Sequence, residues 1–302
     1  MPTSLITAVA QDDAVQADSD AAVPWWSYTK TVLASAALVL VAEGRLLLDE
    51  PMQDRPFTLR HLLQHRSGLP DYGGLPDYHA AVASAERPWT DGEMLQRVHA
   101  DTLLFDPGQG WAYSNIGYLL VRSLIERTTG APLGLALERL VFRPLGLPGV
   151  TIAQTPDDLD RTAWGNAARY HPGWVYHGLL IGSAASAVLL LHRLLAGRLL
   201  PADILAAMCA PFPVGGPVDG RPWKSAGYGL GLMNGLGDPP GRYVGHTGAG
   251  PGSIAAVYQH VPDAAAISAN GDWCGRRTAG AFAPLDDFGA IEASAFALAC
   301  AR

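Results

Sequence analysis

Residues Thr31–Val41, TVLASAALVLV, form a stretch that is apolar on every side of a helix of 3.6 residues per turn. It opens directly after Lys30 and closes at Glu43-Gly44, where glycine takes the left-handed conformation that ends helices. A surface helix needs a polar stripe to give to water, and this one has none. It therefore reads as a buried central helix around which the other elements must pack. The longest apolar stretch, Val32–Ala42, is well short of the roughly 20 residues that cross a bilayer, so no membrane span is expected. With 302 residues, 49% of them hydrophobic and only 16% charged, the chain has ample material for such a core, and disorder is excluded.

Helical patterning follows at Thr58–His65, stopped by Gly68-Leu69-Pro70, and at Thr90–His99, where Thr90 and Glu93 stand at capping-box spacing. Further helices are expected at Asn115–Thr129 before Gly130, Pro132–Val141, Ser183–Ala196 and Pro201–Cys209. Strands belong to the two ends of the chain. Ser4–Ala10 and Ala14–Ala17 bracket Asp12-Asp13 as a short hairpin, and after about residue 225 strand signals appear at Tyr228–Asn234, Arg242–Thr247, Ser253–His260 and, past a Pro262-Asp263 turn, Ala265–Asn270. The last segment, Pro284–Ala301, is apolar at helical spacing. This order implies an α+β fold: an antiparallel β-sheet formed by the N- and C-terminal segments, with flanking helices and an inserted, mostly helical lobe. The whole chain is expected to be a single domain, its sheet lobe about residues 1–26 and 225–302 and its helical lobe about 45–210.

Lys30 and Lys224 are the only lysines of the chain. An amine that opens an apolar helix is costly unless it has a partner or a task, and Ser27-Tyr28-Thr29-Lys30 sets a hydroxyl one turn away on the same face. A poorly solvated lysine gives up its proton more easily, so it can act as the base that turns serine into a nucleophile. The helix N-terminus favours negative charge developing beside Ser27. The blander alternative is a capping serine with a chance lysine.

Tyr113-Ser114-Asn115 follows the turn-rich Asp106–Gly110 and enters a helix. A phenol near an ammonium has a lowered pKa and can shuttle a proton, and an amide can orient substrate and lysine together; Ser114 or Asn115 can equally be a helix cap. His246-Thr247-Gly248 lies on a predicted strand, where glycine lets a substrate backbone approach the edge. Alone, that tripeptide is an ordinary strand end.

Together, in this order, the three motifs resemble S-x-x-K, Y-x-N and K-T-G or H-T-G of the serine β-lactamase and penicillin-binding-protein superfamily, within its class C β-lactamase, DD-peptidase and esterase branch. Glu43–Leu46, Leu62–Pro70, Phe105–Gly108, Tyr113–Tyr118 and Pro144–Leu147 are similar to that family as well, and the likeness spans about residues 23 to 272. By position, the resemblance implies Ser27 as the acylated nucleophile, Lys30 as its base and Tyr113 as the proton shuttle. Asn115, His246, Thr247 and Gly248 would line the substrate, and the backbone N–H groups of Ser27 and Ala249 would form the oxyanion hole. Departures are His246 where lysine is common in enzymes acting on β-lactams, Arg66 where threonine is common, and only 26 residues before the serine.

The implied activity is a serine hydrolase that acts through an acyl-enzyme on a small ester, amide or β-lactam. Esterase chemistry is favoured, because an imidazole is mostly neutral at pH 7 and offers a weak site for the carboxylate of penicillins and peptidyl-D-alanine. A class C-type β-lactamase, a D-Ala-D-Ala carboxypeptidase and a catalytically silent peptide- or protein-binding member of the fold are the alternatives. A net charge of −7, a pI near 5.7 and the absence of any basic run argue against nucleic acid as a partner. His61 and His65 are four apart, but the glutamate of H-E-x-x-H is absent, and no P-loop, dinucleotide fingerprint or G-x-S-x-G elbow occurs, so neither metal nor cofactor is expected. Cys209, Cys274 and Cys300 are widely spaced and read as inert thiols. Trp25, Trp26 and Trp111 are candidates to wall the pocket. Met1–Ala10 lacks a basic n-region, although Ala8-Val9-Ala10 resembles the end of a signal peptide; the chain reads as cytoplasmic, with a periplasmic or secreted protein as the alternative if the N-terminus is trimmed. The oligomeric state is not legible.

Overall fold

The apolar stretch after Lys30 forms helix α1, Thr29–Ala42, and eleven of its 14 residues are buried, so it is enclosed on all sides. A computed structural model describes residues 5–52, 54–166, 169–261, 276–284 and 287–301. α1 packs against α5 (Asn115–Thr129) and α6 (Leu133–Leu137). Around them lie α2 (Leu59–Leu63), α3 (Pro76–Ala83), α4 (Asp91–Arg97), α7 (Pro156–Asp160), α8 (Ala184–Leu195) and α9 (Ala202–Cys209), and α10 (Phe288–Cys300) ends the chain. Thr90 caps α4 through the Glu93 amide, Ser114 caps α5 through the Gly117 amide, and α5 ends at left-handed Gly130.

Among the described residues, eleven strands form two antiparallel sheets. The larger contains β1 (Ile6–Gln11), β2 (Ala14–Ala17), β6 (Phe212–Gly215), β7 (Trp223–Tyr228), β8 (Met233–Gly237), β9 (Gly241–Gly250), β10 (Ser253–Val261) and β11 (Thr278–Pro284), in the order β2-β1-β11-β10-β9-β8-β7-β6. The smaller is β3 (Ala22–Pro24), β5 (Leu180–Ser183) and β4 (Thr151–Ile152), in the order β3-β5-β4. The terminal hairpin therefore pairs with the C-terminal strands through β1 and β11, in the register Ile6 to Phe282.

β10 is buried at all nine positions because the sheet is covered on both faces. Ala255 and Val257 join the main core, which α8 helps to fill, while Ala256 and Tyr258 point the other way into a second cluster with Trp223, Tyr243 and Phe296 under α10.

Two expectations change. Strand structure begins at β6, before residue 225. Of the expected strand Tyr228–Asn234, Tyr228 closes β7 and Met233-Asn234 open β8, and residues 229–232 are a connection between them: Leu230 and Leu232 are fully buried, and the Thr31 hydroxyl donates to the Gly231 carbonyl at 2.7 Å. Its apolar alternation comes from docking on α1 rather than from sheet pairing, and a Cβ at Gly231 would stand 2.4 Å from Ala34 Cβ. The expected strand Ala265–Asn270 lies outside the described residues.

Candidate active site

Ser27 sits in a short 3-10 turn, Trp26–Tyr28, that leads into α1, and it does not cap that helix. Trp26, directly before it, has φ +43°, a left-handed conformation that costs a bulky residue on the order of 1–3 kcal/mol and is held only by its surroundings. Its indole donates to Ser253 Oγ at 2.9 Å. β9 lies directly against this turn. A Cβ at Gly248 would come within 2.3 Å of the Ser27 amide nitrogen, and one at Gly250 within 2.3 Å of the Trp26 ring, so only glycines let the strand seat here. Ser27 and Ala249 thus line one cleft, of about 240 Å³, with Trp26, Tyr72, Asn115 and His177.

Two side chains reach the serine, and a third holds the lysine. Lys30 Nζ lies 3.0 Å from Ser27 Oγ and 2.7 Å from Asn115 Oδ1, and the Tyr113 hydroxyl donates to Ser27 Oγ at 2.9 Å. Lys30 has no exposed surface; burial draws its pKa from 10.5 to about 7, with the Asp71 carboxylate pulling the other way. At neutral pH a large fraction is therefore free amine, the form that accepts a proton. Burial pushes the Tyr113 phenol above its ordinary value, opposite to the lowering expected beside a permanent ammonium. Tyr113 is thus a proton donor at rest.

Asp71, which sequence reasoning missed, fixes the amide of Asn115. Its carboxylate accepts from the Asn115 backbone N–H at 2.7 Å and from Nδ2 at 3.3 Å, which leaves Oδ1 to face Lys30. His65 was weighed only as a possible zinc partner of His61. α2 ends at Leu63, so the two do not share a helix face; His61 Nδ1 accepts from the Thr58 amide, and His65 Nδ1 accepts from the Ser114 amide at 3.1 Å. The His65 ring stacks 4.3 Å from that of Tyr113. His177 is the second group that the motifs did not reveal, with Nε2 3.4 Å from Lys30 Nζ.

The strand residues differ from a simple substrate-facing row. His246 is fully buried, its Nδ1–H donating to the Thr247 carbonyl at 2.7 Å and its Nε2 accepting from the Tyr228 hydroxyl at 2.8 Å. Burial first, then the nearby Lys30, push its pKa down to about 3, so the imidazole is neutral. The Thr247 hydroxyl, expected to line the substrate, points to the opposite face, because successive side chains alternate across a strand. There it meets Tyr258 at 2.6 Å and Glu292, a fully buried carboxylate also paired with Arg221. Trp26 walls the cleft, Trp25 is wholly core, and Trp111 does not line it, meeting the His65 ring edge-on at 6.0 Å instead. Cys209 is buried and its thiol is pushed up to about 12, as befits an inert group.

Comparison with known proteins gives the family and the fold. A family model described as Beta-lactamase matches residues 7–277. The chain belongs to the beta-lactamase family. Esterase EstB of Burkholderia gladioli is 36% identical over 141 residues, which cover 40% of this chain and 36% of that protein. A penicillin-binding protein of Bacillus subtilis (strain 168) is 29% identical over 147 residues, 44% of this chain and 32% of the other. The chain thus spans about a third of the length of these curated relatives. Among solved structures, a D-stereospecific amidohydrolase from Streptomyces sp. superposes with a TM-score of 0.76 at 25% identity, over 93% of this chain and 90% of that one. Among the described residues, no helix is long and apolar enough to cross a membrane.

Proposed function

We propose that the beta-lactamase-family member described above is a serine hydrolase that forms an acyl-enzyme on Ser27 and releases it to water. The observation that carries this reading is the simultaneous contact of Ser27 Oγ with a half-neutral amine at 3.0 Å and a protonated phenol at 2.9 Å. In the first half-reaction Ser27 Oγ attacks the substrate carbonyl while Lys30 Nζ takes its proton, and the carbonyl oxygen becomes an oxyanion against the backbone N–H groups of Ser27 and Ala249. When the C–O or C–N bond breaks, the departing atom takes a proton from Tyr113, and the Lys30 ammonium returns that proton to the tyrosine oxygen. Water then repeats the sequence on the ester of Ser27.

The favoured substrate is a small, uncharged ester. His246 is neutral, and among the described residues lining the cleft there is no arginine or lysine to hold a substrate carboxylate. Lys224 is exposed and 3.7 Å from Asp238 at the surface. This counts against the class C-type β-lactamase and carboxypeptidase alternatives, while the name of the Streptomyces relative keeps an amide in view. Incubation with a fluorophosphonate followed by intact-mass measurement tests the reading: one adduct is expected on wild type and none on Ser27→Ala. Absence of an adduct on wild type, or one that survives the substitution, would support the catalytically silent binding protein instead.

A further inference from the structure

Lys30 Nζ has three neighbours that accept hydrogen bonds: Ser27 Oγ at 3.0 Å, Asn115 Oδ1 at 2.7 Å and His177 Nε2 at 3.4 Å. The ammonium has three N–H groups and fills all three. The free amine has two N–H groups and one lone pair, and it can take a proton from Ser27 only if that lone pair faces the hydroxyl. Asn115 Oδ1, fixed by Asp71, occupies one N–H. Something must occupy the other.

His177 meets the requirement. It is 2% exposed and lies on the connection between residues 172–174 and β5, at the wall of the cleft. Because its Nε2 faces an N–H donor, its proton resides on Nδ1, and the ring also interacts with the backbone of Trp26 at the head of the nucleophile turn. Burial first, then the nearby Lys30, keep the ring neutral and therefore able to accept.

We propose that His177 is a positioning residue for Lys30: its Nε2 takes the amine N–H that Asn115 does not, leaving the lone pair directed at Ser27. The inference rests on the reading of Lys30 as the base. Lys30 is also faced by Asp71, His65, His246, Tyr113 and Tyr118, none of which a substitution at residue 177 changes. An acceptor stabilises the ammonium more than the amine, so its loss lowers the pKa of Lys30 and moves the acidic limb of the acylation rate to lower pH.

Two polar variants separate positioning from packing. His177→Gln carries an amide oxygen about where Nε2 lies, and His177→Asn carries it about where Nδ1 lies. The pseudo-first-order rate of fluorophosphonate adduct formation is followed by mass from pH 5.5 to 9, with thermal unfolding of each protein as the folding control. His177→Asn is expected to slow acylation by roughly 10- to 100-fold and to shift the acidic limb down by about one pH unit. His177→Gln should recover most of that loss. Equal rates in the two variants, or a slow His177→Asn whose limb stays at the wild-type pH, would overturn the inference and leave His177 as a wall of the cleft. No adduct on wild type would instead overturn the hydrolase reading, and this inference with it.

Discussion

Replacing Lys30 with methionine keeps the length of the side chain and removes the titrating amine, which separates the energetic cost of the base from its chemistry. Burial brings the native pKa to about 7, whereas the unfolded chain titrates near the ordinary value of about 10.4. Between those two values the unfolded chain holds one more proton than the folded one, so stability rises with pH by about 1.4 kcal/mol per unit from this group alone. Below pH 7 both states are protonated and the native state bears the whole cost, roughly 5 kcal/mol. Methionine bears none of it. The variant should therefore gain most over wild type at pH 6 to 7, and the gain should shrink by about 1.4 kcal/mol per unit toward pH 10. Its absolute size is reduced by the partners left behind at Ser27, Asn115 and His177, each worth up to about 1–3 kcal/mol, but that offset moves little with pH. His65, His177 and His246 also feel Lys30, but burial, the larger cause of their lowered values, keeps them neutral from pH 6.5 upward in both proteins. Urea unfolding of both proteins at pH 6.5, 7.5, 8.5 and 9.5, followed by tryptophan fluorescence and circular dichroism, measures the difference. A difference that stays constant over this range would mean that the folded-state amine titrates like a free lysine, and Lys30 would lose its role as a base at neutral pH.

Other outcomes follow from the same geometry. Lys30→Ala, Tyr113→Phe and the double variant should each lose about 10²- to 10⁴-fold in kcat/KM, because members of one relay are not additive; losses that multiply would count against a shared relay. Gly248→Ala places a methyl 2.3 Å from the Ser27 amide and should cost more than about 10²-fold in acylation rate, so a variant that acylates like wild type would show that β9 does not abut the serine. Asp71→Asn removes the carboxylate that raises the pKa of Lys30 and should shift the acidic limb of kcat/KM to lower pH; a limb that rises refutes the assignment.

What could be read in the sequence was local. Ser27 and Lys30 stand one turn apart in a chain with two lysines, and an amine at the head of an all-apolar helix announces that it has a task. Ser114 and Gly130 mark the ends of α5 by cap chemistry alone. What could not be read depends on contacts between distant segments. His177 lies 147 positions from Lys30, and Asp71 reaches it through Asn115, so neither has a spacing to betray it. The Tyr228–Asn234 segment misled because a loop docked on α1 alternates apolar residues just as a strand does. Burial, also a tertiary quantity, reversed the expected shift of Tyr113 and made His246 neutral outright rather than mostly so.

These neutral groups have a common consequence for the proposed reaction. His65, His177 and His246 are each driven below the ordinary imidazole value, first by burial and then by Lys30, and Lys30 itself is drawn to about 7. A permanent cation beside Ser27 would attract a substrate carboxylate in the ground state and lower KM without lowering the barrier. In the free-amine form that reacts, the positive charge arises only when Lys30 takes the proton of Ser27, at the moment the oxyanion forms a few ångströms away. The attraction between the two is then present in the transition state and absent before it. An interaction confined in this way raises kcat. That reactive form gives anionic substrates no advantage in binding, so the burial proposed to make Lys30 a base also supports the proposed choice of neutral esters.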